Sequence, residues 1–251
     1  MPELLKSRIF SVVVVALAAA LVAGCAGNEP DRDPHASAAA LYETAQRDLR
    51  IGNFGKAIFN LEEVQARYPF SEFARQAQLD LIYAYYKNRE PESAVSTADQ
   101  FIRENPRHSR VDYAYYLKGL VYYERQRNWM EKLFRADLSK RSPDGARRSF
   151  NNFSLLLDRF PDSPYAEDAR QRMVFLRNRL ADHELHVAHF YMQRQAWLSA
   201  VRRALYVVEN YPGAPQNKEA LEIMIQAYNN LEMADLANDA RRVLAENYPK
   251  G

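Results

Sequence analysis

GNFGKAIFNLEEVQARYP, residues 52–69, carries three signals in a fixed order: a glycine turn at Gly52, a small residue at Ala57 three positions after the aromatic Phe54, and a turn proline at Pro69 twelve positions after Ala57. The same interval of twelve recurs four more times, from Ala94 to Pro106, Ser149 to Pro161, Ala200 to Pro212 and Ala237 to Pro249. Each proline closes a similar ending: Arg67-Tyr68-Pro69, Glu104-Asn105-Pro106, Arg159-Phe160-Pro161, Asn210-Tyr211-Pro212 and Asn247-Tyr248-Pro249. A small side chain lets two antiparallel helices approach closely, and a proline ends the second helix and sets the turn into the next unit. Around residues 52–57, Leu41, Ala45, Leu61 and Val64 keep helical spacing, so the unit reads helix, short turn, helix. Trp197-Leu198-Ser199-Ala200 repeats the aromatic-to-small interval.

This pattern resembles the tetratricopeptide repeat, whose unit of about 34 residues is a helix pair that buries its apolar face only by stacking on its neighbours. The resemblance implies an all-α fold, a tetratricopeptide-repeat solenoid of five helix pairs. Successive prolines lie 37, 55, 51 and 37 residues apart, so the third and fourth units carry extra length. In the third the addition falls between its helices, across residues 124–146. In the fourth the apolar pattern over residues 165–193 predicts one long first helix.

The N-terminus decides the compartment. Lys6 and Arg8 precede an uncharged apolar run over residues 9–23, and Val22-Ala23-Gly24 stand directly before Cys25. The run is shorter than the ~20 residues that span a bilayer, which fits a secretory signal rather than a membrane helix. Leu21-Val22-Ala23-Gly24-Cys25 resembles the bacterial lipobox. That resemblance implies a signal peptide over residues 1–24, an acylated, palmitate-type anchor on Cys25 and a linker over residues 25–37. Ala26 after the cysteine is a residue that, in bacterial lipoproteins generally, directs delivery to the outer membrane. Cys25 is the only cysteine, so no disulfide forms within the chain.

Composition excludes several classes of function. Thirty-four basic residues against 32 acidic ones give a net charge of only +2, where a nucleic-acid binder carries a marked basic excess. Eight glycines are too few for a turn-rich β fold, and none forms a phosphate-cradling motif. His183, His186 and His189 stand three apart, whereas a helical zinc pair needs spacing of four to put both rings on one face. No Gly-x-Ser-x-Gly elbow occurs, and Cys25 is taken by the anchor. The expectation is therefore no catalytic residue, no metal site and no cofactor. Acidic pairs such as Glu62-Glu63 read as solvated helix surface.

In the tetratricopeptide family the first helices line a groove, and the family's inward positions carry over through the register of the small residues. They fall on Tyr42, Gln46, Leu49 and Arg50, then on Gln76, Leu79, Tyr83, Tyr86 and Lys87, then on Tyr113, Tyr116, Leu120 and Tyr123. Six tyrosines and two cations, Arg50 and Lys87, would suit an extended peptide with aromatic side chains and a free carboxylate. The alternative is that the tyrosines pack between helices, as Tyr85, Tyr115 and Tyr122 are expected to do.

The lipobox, the repeats, Arg67-Tyr68-Pro69-Phe70-Ser71, QLDLIYAYYKN at 78–88, DLSKRSP at 137–143 and VFLRNRL at 174–180 together resemble the lipoprotein family of the outer-membrane β-barrel assembly machinery. The resemblance covers essentially the whole chain after residue 24. It implies a lipid-anchored scaffold on the periplasmic face of the outer membrane. Repeats one to three, residues 38–163, would receive the C-terminal signals of unfolded outer-membrane proteins. Repeats four and five, residues 164–251, would bind the partners BamA and BamC, with Arg203 at the contact to the barrel protein BamA. A different role that generic repeats also fit is a periplasmic lipoprotein adaptor that recruits peptidoglycan hydrolases.

Overall fold

The computed structural model describes residues 35–124 and 142–249. The expected signal peptide, Cys25, most of the expected linker and most of the third-unit insertion lie outside the described residues. Among the described residues ten helices follow one another: α1 (Ala38–Ile51), α2 (Phe54–Arg67), α3 (Glu72–Lys87), α4 (Pro91–Glu104), α5 (Val111–Glu124), α6 (Asp144–Arg159), α7 (Ala166–Gln193), α8 (Trp197–Asn210), α9 (Asn217–Asn230) and α10 (Ala234–Asn247). They form the five expected pairs, each helix packed on the next, and first helices also touch across units: α1 on α3, α3 on α5, α7 on α9. This is a helical solenoid of the tetratricopeptide type.

The repeat signals have structural causes. Within four units the residue two positions before the second helix has positive φ: Gly52 at 78°, Arg89 at 64°, Gln195 at 57° and Glu232 at 59°. That left-handed residue reverses the chain, and only the first unit uses glycine, which adopts it without strain. Ala57, Ala94, Ser149, Ala200 and Ala237 are all fully buried, as the close approach of paired helices requires. At the other end, each of the first four prolines sits second in a β-turn, closed by Ser71 N–H to Tyr68 O, His108 to Asn105, Ser163 to Phe160 and Ala214 to Tyr211. In the third unit the two helices are in tight contact. The Ser149 hydroxyl donates to Gly119 O at 2.9 Å, and a Cβ on Gly119 would lie 2.5 Å from the Phe153 ring.

Helix α7 runs unbroken for 28 residues, as the uninterrupted pattern predicts. It contains neither glycine nor proline, so nothing stops it until Arg194.

Two apolar clusters make the core. The first unit and one face of α3 supply Leu41, Ala45, Ile58, Leu61, Val64, Ala77, Leu81 and Ala84. The opposite face of α3 supplies Leu79 and Ile82 to a second cluster that continues through Phe101, Phe153, Leu176 and Val207 to Ala240. Packing is therefore continuous through residues 163 and 164, and a division there can mark a change of role but not a separate folding unit.

A tyrosine face on the first helices

The first helices carry a row of aromatic and charged side chains that crosses four units. On α1, the Tyr42 hydroxyl donates to Asp80 Oδ2 of α3 at 2.7 Å, and its ring lies 5.4 Å from Phe73. Gln46 Nε2 donates to the same oxygen at 2.6 Å, and Gln76 Nε2 to Asp80 Oδ1 at 3.0 Å. Further along α3, Tyr83 meets Phe54 edge-on at 6.2 Å. The Lys87 ammonium sits 6.0 Å from the Tyr83 ring and 5.9 Å from the Tyr86 ring. Lys87 is exposed and both tyrosines are half-buried, so two aromatic faces and a cation stand together in reach of a ligand.

Tyr113 and Tyr116 of α5 continue the row. Tyr113 lies under the Arg110 guanidinium at 5.1 Å and 5.2 Å from Tyr165, and Tyr116 stacks on Tyr165 at 4.7 Å. The Tyr116 hydroxyl donates to Asp168 Oδ2 of α7 at 2.7 Å, and Arg172 is bonded to both oxygens of that carboxylate.

Burial raises the Asp80 pKa above the usual carboxylate range, against the bonds from Tyr42 and Gln76, the Arg110 charge and the bond from Gln46. For Asp168 burial pulls the same way but loses to the bonds from Arg172 and Tyr116, and the net shift is downward. Tyr116 is pushed up to about 12, chiefly by burial and then by its bond to Asp168, so the hydroxyl stays protonated and a donor at neutral pH. Burial and the bond to Asp80 raise Tyr42 in the same way.

Two of the expected groove positions are core: Leu79 and Leu120 are buried. Tyr123 must also be withdrawn as a peptide contact. It is 6% exposed, wedged against Phe153 and Phe175, with Arg172 4.8 Å over its ring. Arg50 is exposed in the last turn of α1. Tyr115 packs between helices as expected, on Phe160 and with its hydroxyl accepting from Arg159 at 2.8 Å. Tyr85 donates to Glu62, and Tyr122 lies under Arg148 at 5.8 Å. Sequence reasoning missed Asp80, Arg110, Tyr165, Asp168 and Arg172. Tyr165 and Asp168 open the long fourth-unit helix, where extra length hides the repeat register.

Arg203, on α8, is not a free cation. Its Nη1 donates to Glu184 Oε2 at 2.9 Å, and Arg147 Nη2 of α6 lies 3.8 Å from Oε1 of the same carboxylate. Glu184 is 3% exposed, so a buried charge is balanced by arginines from two neighbouring helices. The Arg203 side chain remains 46% exposed, and a guanidinium has five donors, so part of it still faces outward. His189, the last of the three histidines, pairs with Glu219 at 2.6 Å.

Stacked helix pairs that present tyrosines, amides and cations along their first helices define a helical-repeat scaffold. Within that class, residues 34–244 match the YfiO family, described as outer membrane lipoprotein, and the chain belongs to that family. The "Outer membrane protein assembly factor BamD" of Vibrio cholerae is 39% identical over 92% of this chain and 95% of its own length. The protein of the same name from Neisseria gonorrhoeae is 39% identical over 94% of this chain and 88% of its own. The crystal structure of MamA covers 80% of this chain and 92% of its own at 14% identity with a TM-score of 0.40, too loose a likeness to add to the fold described above.

Proposed function

We propose that the chain is a lipid-anchored scaffold of the outer-membrane β-barrel assembly machinery, held at the periplasmic face of the outer membrane through Cys25. Its first three units receive the C-terminal segment of unfolded outer-membrane proteins, and its last two hold BamA and BamC. The family description and the assembly-factor relatives support the setting. The observation that carries the reading is the cluster of Tyr83, Tyr86 and Lys87. A strand that ends in an aromatic residue and a carboxylate needs an aromatic surface and a cation side by side, and this cluster offers both. Tyr113, Tyr116 and Tyr165 extend the apolar surface for aromatic side chains further up the strand. No helix among the described residues is long and apolar enough to cross a membrane.

Arg203 is the candidate contact to BamA through its outward edge. Reversing its charge is a poor test, since a new carboxylate would face the buried Glu184 and destabilise the fold. Arg203→Lys keeps a cation for Glu184 but loses the planar fork that binds a second carboxylate. It should lower the yield of BamA recovered with the detergent-solubilised chain while shifting the thermal midpoint little. A normal yield would remove Arg203 from the partner surface.

A further inference from the structure

The described chain begins beside the turn that closes the first unit. The Ala36 carbonyl accepts from the Tyr68 hydroxyl at 2.7 Å and from Arg67 Nη2 at 3.2 Å, which ties the exit of residues 25–34 to residues 67–71. The turn itself is stiff. Pro69 fixes its own φ, Ser71 N–H donates to Tyr68 O at 3.0 Å, and Ser71 Oγ caps α3 by accepting from Ala74 N–H at 3.2 Å. On its tip stands Phe70, 101% exposed, where the next most exposed phenylalanine among the described residues, Phe190, is 44% exposed.

Cys25 precedes Ala36 by eleven residues, and eleven residues at full stretch reach no further than about 40 Å. Acyl chains on Cys25 would thus hold Phe70 permanently near a bilayer, so that a weak contact is converted into a well-populated one. We propose that the Pro69-Phe70 turn is a second, reversible contact with the membrane that bears the anchor, with the Phe70 ring at the boundary of headgroups and acyl chains. The inference rests on the lipid-anchored reading above. A tether and a wedge at one end of the first unit would restrict how the solenoid stands on the membrane.

Ile51 supplies an internal control. It is also strongly exposed, at 71%, but lies at the opposite end of α2, whose 14 residues put it roughly 20 Å from the turn. Non-acylated chain starting at Cys25 is coupled through that thiol, its only one, to a maleimide phospholipid in phosphatidylethanolamine–phosphatidylglycerol vesicles with or without brominated acyl chains. Phe70→Trp and Ile51→Trp are compared, each as the difference from the unsubstituted chain with its Trp129 and Trp197. Coupling makes the result independent of acylation in the cell, which is read separately by flotation of the cell-made chain against Cys25→Ser. The emission added at position 70 should shift to the blue and fall roughly twofold with brominated lipid, while the emission added at position 51 stays unchanged. Equal response at the two positions, or an unquenched signal at position 70, would overturn the membrane contact.

Discussion

Asp80 and Asp168 each accept a tyrosine hydroxyl across two first helices, and their surroundings push them in opposite directions. Asp80 has a folded pKa raised by burial, so the folded state holds its proton to higher pH than the unfolded chain does. Stability is therefore lost as pH rises from the unfolded value through the folded one. Asp168 has a depressed folded pKa because Arg172 and Tyr116 outweigh burial. Its contribution is present above the unfolded value and is lost as pH falls through the folded one. Urea unfolding followed across the acid range should separate the two. Asp80→Asn should gain on the parent chain as pH rises, and Asp168→Asn should be the weaker protein near neutrality and converge with the parent in acid. Parallel curves for either variant would mean that its carboxylate does not couple to folding. Neither aspartate was legible in the sequence, because Tyr42 and Asp80 are 38 residues apart and Tyr116 and Asp168 are 52 apart, and no local pattern joins them. The pairing of the buried Glu184 with Arg203 and Arg147 was hidden for the same reason.

At the scale of the element, the repeat was legible because its signals are local and physical. Five buried small residues, and the prolines twelve positions after them, mark places where a larger side chain or a continuing helix would clash. The long fourth-unit helix was legible through the lack of any breaker in it. The left-handed turn residue was not, since three of the four turns that carry it place Arg89, Gln195 or Glu232 where glycine would be at ease. A side chain in that conformation costs on the order of 1 kcal/mol. Glu232→Gly, on an exposed turn of the last unit, should therefore raise the free energy of unfolding by up to about 1 kcal/mol, less the entropy that glycine returns to the unfolded chain. A lower midpoint in chemical denaturation would show that the Glu232 side chain does more there than tolerate strain.

Over the whole molecule, the continuous core and the crossing of the tyrosine row from α1 to α7 belong together. Because α3 is shared by both apolar clusters and the second cluster runs on to α10, the first helices are held in fixed relation, and their side chains form one extended surface. An extended surface of this kind suits an extended ligand, whose ordering costs about 1 to 2 kcal/mol per fixed residue and must be offset by several contacts at once. The central claim is that the ligand is a strand ending in an aromatic carboxylate, held by Tyr83, Tyr86 and Lys87. Its most direct test is the affinity of the chain from Cys25 onward for a peptide copied from the last strand of an outer-membrane protein, with its C-terminus free or amidated. Amidation should weaken binding, Tyr83→Ala and Tyr86→Ala should each weaken both forms, and Lys87→Glu should abolish the advantage of the free carboxylate. Equal affinity for the two peptides, together with normal binding by both tyrosine variants, would contradict the account and move the client site away from this face.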